Sequence, residues 1–175
     1  MHAIETFKVG DRQVKIFPDE DCASPRENDN LGTIVYTSTR YTLGDTRLGG
    51  WQIKNIEDSP DTAVWLPVYA YIHSGTALNT TGFSCPWDSG QCGIIYVTVD
   101  TLIKAYGADT PENRVIAEGV LRAEVEEFSK YVGGECYGYV VEDPDGEEVD
   151  SCWGFIGLDD VKQAARDAAA QEVTV

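Results

Sequence analysis

The chain has 175 residues, 30 acidic and 13 basic, for a formal net charge of −17. Self-repulsion on that scale repels polyanions, so binding to nucleic-acid backbones or anionic membranes, which needs clustered Lys and Arg, is disfavoured. Apolar residues at 42%, with 4 Trp and 9 Tyr, suffice for a packed core, and the length suits one domain, residues 1–175.

In chain order, Ile4–Lys8 and Gln13–Phe17 flank a turn at Val9-Gly10-Asp11 and read as a hairpin. The polar run Pro18–Asn30 follows. Gly32–Thr39 reads as a strand, since Val and Thr suit a pleated surface. Leu43–Pro60 carries Gly44, Gly49, Gly50 and Pro60 and reads as a loop, with one short strand over Trp51–Ile56. Ala63–His73 is an apolar and aromatic strand in which Pro67 implies an edge or a bulge. Gly93–Val99 reads as a buried central strand.

Asp100–Tyr106 reads as a short helix stopped by Gly107. The next helix is the best signalled. Thr110 offers an N-cap oxygen, Pro111 occupies the first helical position and Glu112 suits the positive end of the dipole. Val115, Ile116, Val120, Leu121, Val125, Phe128 and Val132 form the predicted buried stripe, and Gly133-Gly134 ends it.

Cys136–Phe155 reads as a hairpin. Asp143-Pro144-Asp145-Gly146 fits a type I turn with Gly146 left-handed, a short loop closed by a bulge. That register opposes Val141 to Val149, Tyr139 to Ser151 and Tyr137 to Trp153, giving an apolar ladder. Leu158–Gln171 reads as an Ala-rich C-terminal helix. The predicted fold is α+β: an antiparallel or mixed sheet packed by the long helix and the C-terminal helix.

The longest apolar run, Ala63–Ile72, is half of the ~20 residues a membrane-crossing helix needs. The first residues lack the basic and apolar regions of a secretion signal, so the expected location is cytoplasmic. Cys22, Cys85, Cys92, Cys136 and Cys152 are an odd set, which argues against a disulfide framework. No Cys-x-x-Cys pair is present to start a zinc site. No phosphate-binding glycine loop, zinc-protease helix or serine-hydrolase elbow is present either. No cofactor is expected.

Several constellations carry chemistry. Asp19, Asp21 and Asp29 offer oxygens to a hard cation, although their spacing is not that of an EF-hand. The competing reading is a self-bonded loop pinned by Arg26. His73, Cys85 and Asp88 offer a thiolate, an imidazole and an orienting carboxylate. Against that stands a packed turn with Trp87 as a core anchor and Cys85 as a small hydrophobe. Between Lys130 and Lys162 there is no basic residue, and Glu142, Asp143, Asp145, Glu147, Glu148 and Asp150 crowd the hairpin. A rigid acidic ribbon can imitate phosphate spacing; charges on an exposed edge also simply block aggregation. Trp51, Trp87, Tyr137 and Trp153 can stack on a base, with Arg26, Arg40 or Arg47 on a phosphate.

Three runs resemble those of a family of small acidic proteins of phages and other mobile elements. They are Asp19-Glu20-Asp21 through Ser24-Pro25-Arg26-Glu27 to Leu31-Gly32-Thr33, then Phe83-Ser84-Cys85-Pro86-Trp87-Asp88-Ser89-Gly90-Gln91, then Tyr137-Gly138-Tyr139 with Asp150-Ser151-Cys152-Trp153-Gly154-Phe155. The resemblance spans most of the chain and implies a mobile-element gene expressed inside a bacterial or archaeal cell. It implies no catalytic residue. With the charge, it leads to an accessory protein that binds a host macromolecule. One form is an acidic nucleic-acid mimic that occupies the basic surface of a host defence nuclease. The alternatives are a small-ligand or nucleotide sponge and, last, an enzyme built on Cys85 and His73.

Overall fold

A computed structural model describes residues 2–171. Met1 and residues 172–175, the two ends of the expected 1–175 domain, lie outside the described residues. The chain runs β1 (Glu5–Val9), β2 (Arg12–Pro18), a 3-10 turn (Pro25–Glu27), β3 (Thr33–Tyr36), β4 (Thr46–Arg47) and α1 (Gly50–Glu57). It continues β5 (Thr62–Ile72), β6 (Thr76–Asn79), β7 (Ser89–Thr98), α2 (Val99–Tyr106) and α3 (Pro111–Val132). Last come β8 (Cys136–Glu142), β9 (Glu148–Ile156) and α4 (Leu158–Ala170). The fold is α+β, as its pattern predicts, with the long helix and the C-terminal helix each packed on a sheet. The strands are shared between two sheets, and the contacts divide the chain into two units.

One unit combines the two ends of the chain, residues 2–24 and 134–171. Its sheet has the order β1-β2-β8-β9, antiparallel throughout. Val14 and Ile16 pair with Val141 and Tyr139, and these four side chains meet Val161, Ala165 and Ala169 of α4. The small residues recur every four positions, so α4 lies close against the sheet. Each fully buried Val or Ile contributes roughly 1.5–3 kcal/mol. Arg12 Nη1 donates to the carbonyls of Ala169 and Gln171 at 3.2 and 2.7 Å, satisfying the exposed end of α4.

The β8–β9 turn forms as predicted, with Gly146 at φ 86° and its N–H on the Asp143 carbonyl at 3.1 Å. The predicted register does not form. Val149 is an extra residue in β9, so Val141 opposes Asp150 and Tyr139 opposes Cys152. A second irregularity opposes Tyr137 to Phe155 rather than Trp153. It centres on Gly154, at φ 88°, whose N–H donates to Asp19 Oδ2 at 2.9 Å. The two bulges turn Val149 and Trp153 outward, and the apolar ladder lies on β2 and β8 instead. The Trp153 ring covers Gly138, where any Cβ would collide with it.

The other unit is residues 25–133. Its sheet has the order β4-β3-β7-β5-β6, antiparallel except for the β3–β4 pair. β6 pairs with β5 only from Tyr69 onward, so β5 is still an edge at Pro67, where a missing N–H costs nothing. On one face α3 buries Ala117, Leu121, Val125 and Phe128 against Ile34, Leu66, Val68 and Ile95. Thr110 caps α3 as predicted, its hydroxyl accepting the Asn113 N–H at 3.2 Å. The stripe starts two residues later than predicted: Val115 is 71% exposed and Ile116 51%. They flank the 117-121-125-128 line by roughly 100–200° around the helix.

On the opposite face lies α1, where a short strand is predicted over Trp51–Ile56. Ile53 and Ile56 are three apart, which is a helical spacing, and both pack on Val35, Ile94 and their neighbours. Gln52 Oε1 accepts the Gly49 N–H at 2.8 Å and fixes the first turn. Gly93 lets β7 pass so close to β3 that a Cβ would strike the Val35 carbonyl. No helix among the described residues is long and apolar enough to cross a membrane.

Candidate functional site

Arg26 is the most engaged cation of the 25–133 unit. Nε and Nη2 grip Asp45 at 2.9 and 2.7 Å; Nη1 reaches Glu124 Oε2 at 3.0 Å and Asn30 Oδ1 at 3.1 Å; Nη2 also donates to the Gly32 carbonyl at 2.6 Å. Its side chain is 7% exposed. The carboxylates are themselves shared: Glu124 accepts the N–H groups of Leu31 and Gly32, and Asp45 accepts that of Ile34. Burial lowers the Arg26 pKa and the bonds to both carboxylates raise it, for a net rise. All five guanidinium N–H groups have acceptors inside the protein. Arg26 therefore pins the loop, as one sequence reading holds, and has no donor left for a phosphate.

Around Thr37 the surface differs. Three shallow hollows meet there, of about 440, 240 and 370 Å³. Arg40, Tyr41 and Trp87 line the largest, Lys54 and Ile53 the second, Arg47 and Gln52 the third. The Ser38 hydroxyl accepts the N–H groups of Arg40 and Tyr41 at 3.3 and 3.1 Å and fixes the loop that carries them. Arg40 sits 5.7 Å over the Tyr41 ring. Trp87 rides on a loop tied down by Ile72 N–H on the Asp88 carbonyl at 2.9 Å and by the Ser89 hydroxyl on the Cys85 carbonyl. Trp87 is 90% exposed and Trp51, beside Gly49, 71%. Trp87 is thus no core anchor. Among the arginines of this unit, Arg40 and Arg47 form no ion pair with the described residues, whereas Arg26, Arg114 and Arg122 do.

His73, Cys85 and Asp88 do come together, but through the carboxylate. Asp88 Oδ2 lies 3.4 Å from His73 Nδ1 and 3.8 Å from Cys85 Sγ. The same oxygen serves both, so the thiol–imidazole hydrogen bond that a nucleophile needs is not the contact made. Cys92, lining two of the hollows, is pushed up to about 11 by burial, which suits a structural thiol.

Asp19 and Asp21 belong to the terminal unit and Asp29 to the other. Asp19 Oδ1 accepts the Asp21 N–H at 3.0 Å and Oδ2 that of Gly154, so both oxygens hold backbone. No group of three or more His, Cys, Asp or Glu among the described residues is placed to hold a metal ion.

On the hairpin, part of the acidic set is engaged. Glu142 pairs with Lys15, Asp143 Oδ1 accepts the N–H groups of Asp145 and Glu147 at 2.9 Å each, and Asp150 accepts the Tyr139 hydroxyl at 3.1 Å. Burial first, then that bond, pushes Tyr139 up to about 12. Glu148 accepts the Ser151 hydroxyl at 2.7 Å, and Asp145 and Glu147 stand exposed at the tip. Trp153 packs on Phe17 at 6.1 Å, and Tyr137 is half-buried beside the terminal core.

The sequence reading missed Thr37, Tyr41, Asp45 and Glu124. Only Tyr41, next to an Arg in a polar turn, carried a usable signal. Comparison with family models, curated proteins and solved structures found no match to this chain.

Proposed function

We propose that the protein is a non-catalytic binding protein that engages a host protein through the Trp87–Tyr41–Arg40 surface and the adjoining Arg47 and Trp51. The observation that carries this reading is the almost fully exposed Trp87 lining one hollow with Arg40, which has no ionic partner among the described residues. Trp, Tyr and Arg are the residues that dominate binding energy at interfaces. The hollows are shallow. A nucleotide sponge would instead enclose most of its ligand's surface. The partner supplies an apolar recess for Trp87 and carboxylate or carbonyl oxygens for Arg40 and Arg47. The resemblance of the motifs to mobile-element proteins supports a partner in the cytoplasm of a bacterial or archaeal host, and a counter-defence role would suit that context.

The acidic mimic is the second reading, favoured by one feature. The two Asp143 bonds stiffen the tip that presents Asp145 and Glu147, and a fixed array is what phosphate mimicry requires. The two readings part in one experiment. Tagged protein is used to capture host proteins at graded salt, as wild type, as Trp87→Ala with Arg40→Ala, and as Glu147→Lys with Glu148→Lys. The aromatic surface predicts loss of the captured partner in the first variant and retention in the second, with weak salt dependence. The reverse pattern, with steep salt dependence, overturns it in favour of the mimic.

A further inference from the structure

The chain leaves the terminal unit after Ser24 and re-enters it at Gly134. A cysteine flanks each crossing, Cys22 before the exit and Cys136 after the return. The fold brings both to one place. The Asp19 N–H donates to the Cys136 carbonyl at 2.8 Å, which extends the β2–β8 pairing one step past Pro18 and Tyr137. The Asp21 N–H then closes on Asp19 Oδ1 at 3.0 Å, a turn that leads directly into Cys22. The Cys22 side chain lies beside the buried Cys136 thiol and interacts with it. Cys22 itself is half-buried.

We propose that Cys22 and Cys136 are a site of reversible oxidation, at which a disulfide joins the two chain crossings. The oxidant is a low-molecular-weight disulfide such as oxidised glutathione. Solvent reaches Cys22, which loses its proton and attacks one sulfur of the oxidant. The sulfur–sulfur bond breaks, and the departing thiolate takes up the proton. Cys136 then attacks the Cys22 sulfur of the mixed disulfide and releases the second small thiol, which leaves with the Cys136 proton. Two protein thiols are oxidised and one small disulfide is reduced to two thiols. Burial, then the neighbouring Cys22, pushes the Cys136 thiol up to about 12, so the second step is the slow one and quickens as pH rises. The contacts of Cys85, Cys92 and Cys152 are to oxygen atoms, of Asp88, Val68 and Trp153, so among the described residues these thiols have no partner with which to close a disulfide.

The test uses the full chain incubated with oxidised glutathione, quenched with an alkylating agent, digested without reduction and mapped by mass. The expected product is a Cys22–Cys136 linked peptide, short of two hydrogens and restored by dithiothreitol. A protease cut within residues 25–133 then leaves the two end segments covalently joined until reduction. Cys22→Ala, at the half-exposed position, keeps the circular dichroism of the wild type and abolishes the linked peptide, leaving Cys136 unmodified. Cys22 halted as the glutathione adduct at every pH overturns the proposal, as does Cys136 oxidised as readily in Cys22→Ala.

Discussion

Arg26 and Arg40 belong to the same unit and have the same chemistry, yet the fold uses them in opposite ways. Arg26 is 7% exposed, and each of its donors meets a carboxylate, an amide or a carbonyl brought from distant parts of the chain. Arg40 lies on an aromatic ring at the surface with no ionic partner among the described residues. The first arrangement fastens the 25–32 loop to β3 and α3, because a planar fork is well matched to several fixed oxygens. The second leaves donors for another molecule. What distinguishes the two is whether neighbouring side chains and backbone have already claimed the guanidinium's hydrogen bonds.

The largest expected effect separates the two directly. Arg26→Ala strands Glu124 and Asp45 beside each other without their cation, and removing one partner of such a buried pair costs about 3–5 kcal/mol. Urea unfolding measures it. A loss below about 1 kcal/mol would mean the clasp is ornamental. Trp87→Ala leaves urea stability within about 0.5 kcal/mol of wild type, since the side chain covers nothing. Against the host partner it costs about 2 kcal/mol or more in affinity, on the scale of an interface hot spot, and titration calorimetry with the captured partner reads that loss. Equal stability losses in the two variants would dissolve the distinction.

Smaller still is Glu147→Lys with Glu148→Lys. These charges stand at the exposed end of the hairpin, so thermal unfolding should shift by no more than about 0.5 kcal/mol in stability. The smallest effect concerns a third arginine. Arg114 binds exposed Asp109 through Nε and Nη2 at 2.6 and 2.8 Å, and that hydrogen bonding holds the Asp109 carboxyl below its ordinary value of 3.8. A depressed folded pKa gives stability that is present above the unfolded value and is lost as pH falls through the folded one. Carbon-13 titration of Asp109 should therefore move up to the ordinary range in Arg114→Ala, and the small stability that the pair gives near neutral pH should be lost with it. An unmoved titration would assign the depression to something other than Arg114.

Local chemistry was legible where one signal decided the outcome. Thr110, Pro111 and Gly133 bounded α3, and Asp143-Pro144-Asp145-Gly146 specified its turn. The register beyond that turn was not legible. The bulge at Val149 leaves no mark in an alternating strand, and the one at Gly154 depends on Asp19, 135 residues away. The division into two sheets rests on β2 meeting β8, a long-range pairing that no local pattern announces. The helix at Gly50–Glu57 was hidden because its glycines signal a loop, and the single helical spacing from Ile53 to Ile56 is too short a pattern to outweigh them.

The candidate site was legible in composition and not in placement. Arg26 read both as a pin and as a phosphate ligand; its donors are all spent on the fold, and its carboxylates come from Asp45 and Glu124, 19 and 98 residues away, rather than from its own acidic loop. Trp87 read both as a core anchor and as a surface that stacks on a ligand; nothing in the sequence says that its loop projects outward.

The most direct test is photo-crosslinking from the proposed surface in host cells. Benzoylphenylalanine is placed at position 87 and, separately, at position 145 on the hairpin tip. The aromatic-surface reading predicts a crosslink to one host protein from position 87 that disappears when Arg40→Ala is added, and none from position 145. Crosslinks from position 145 alone, or from position 87 regardless of Arg40, would contradict it.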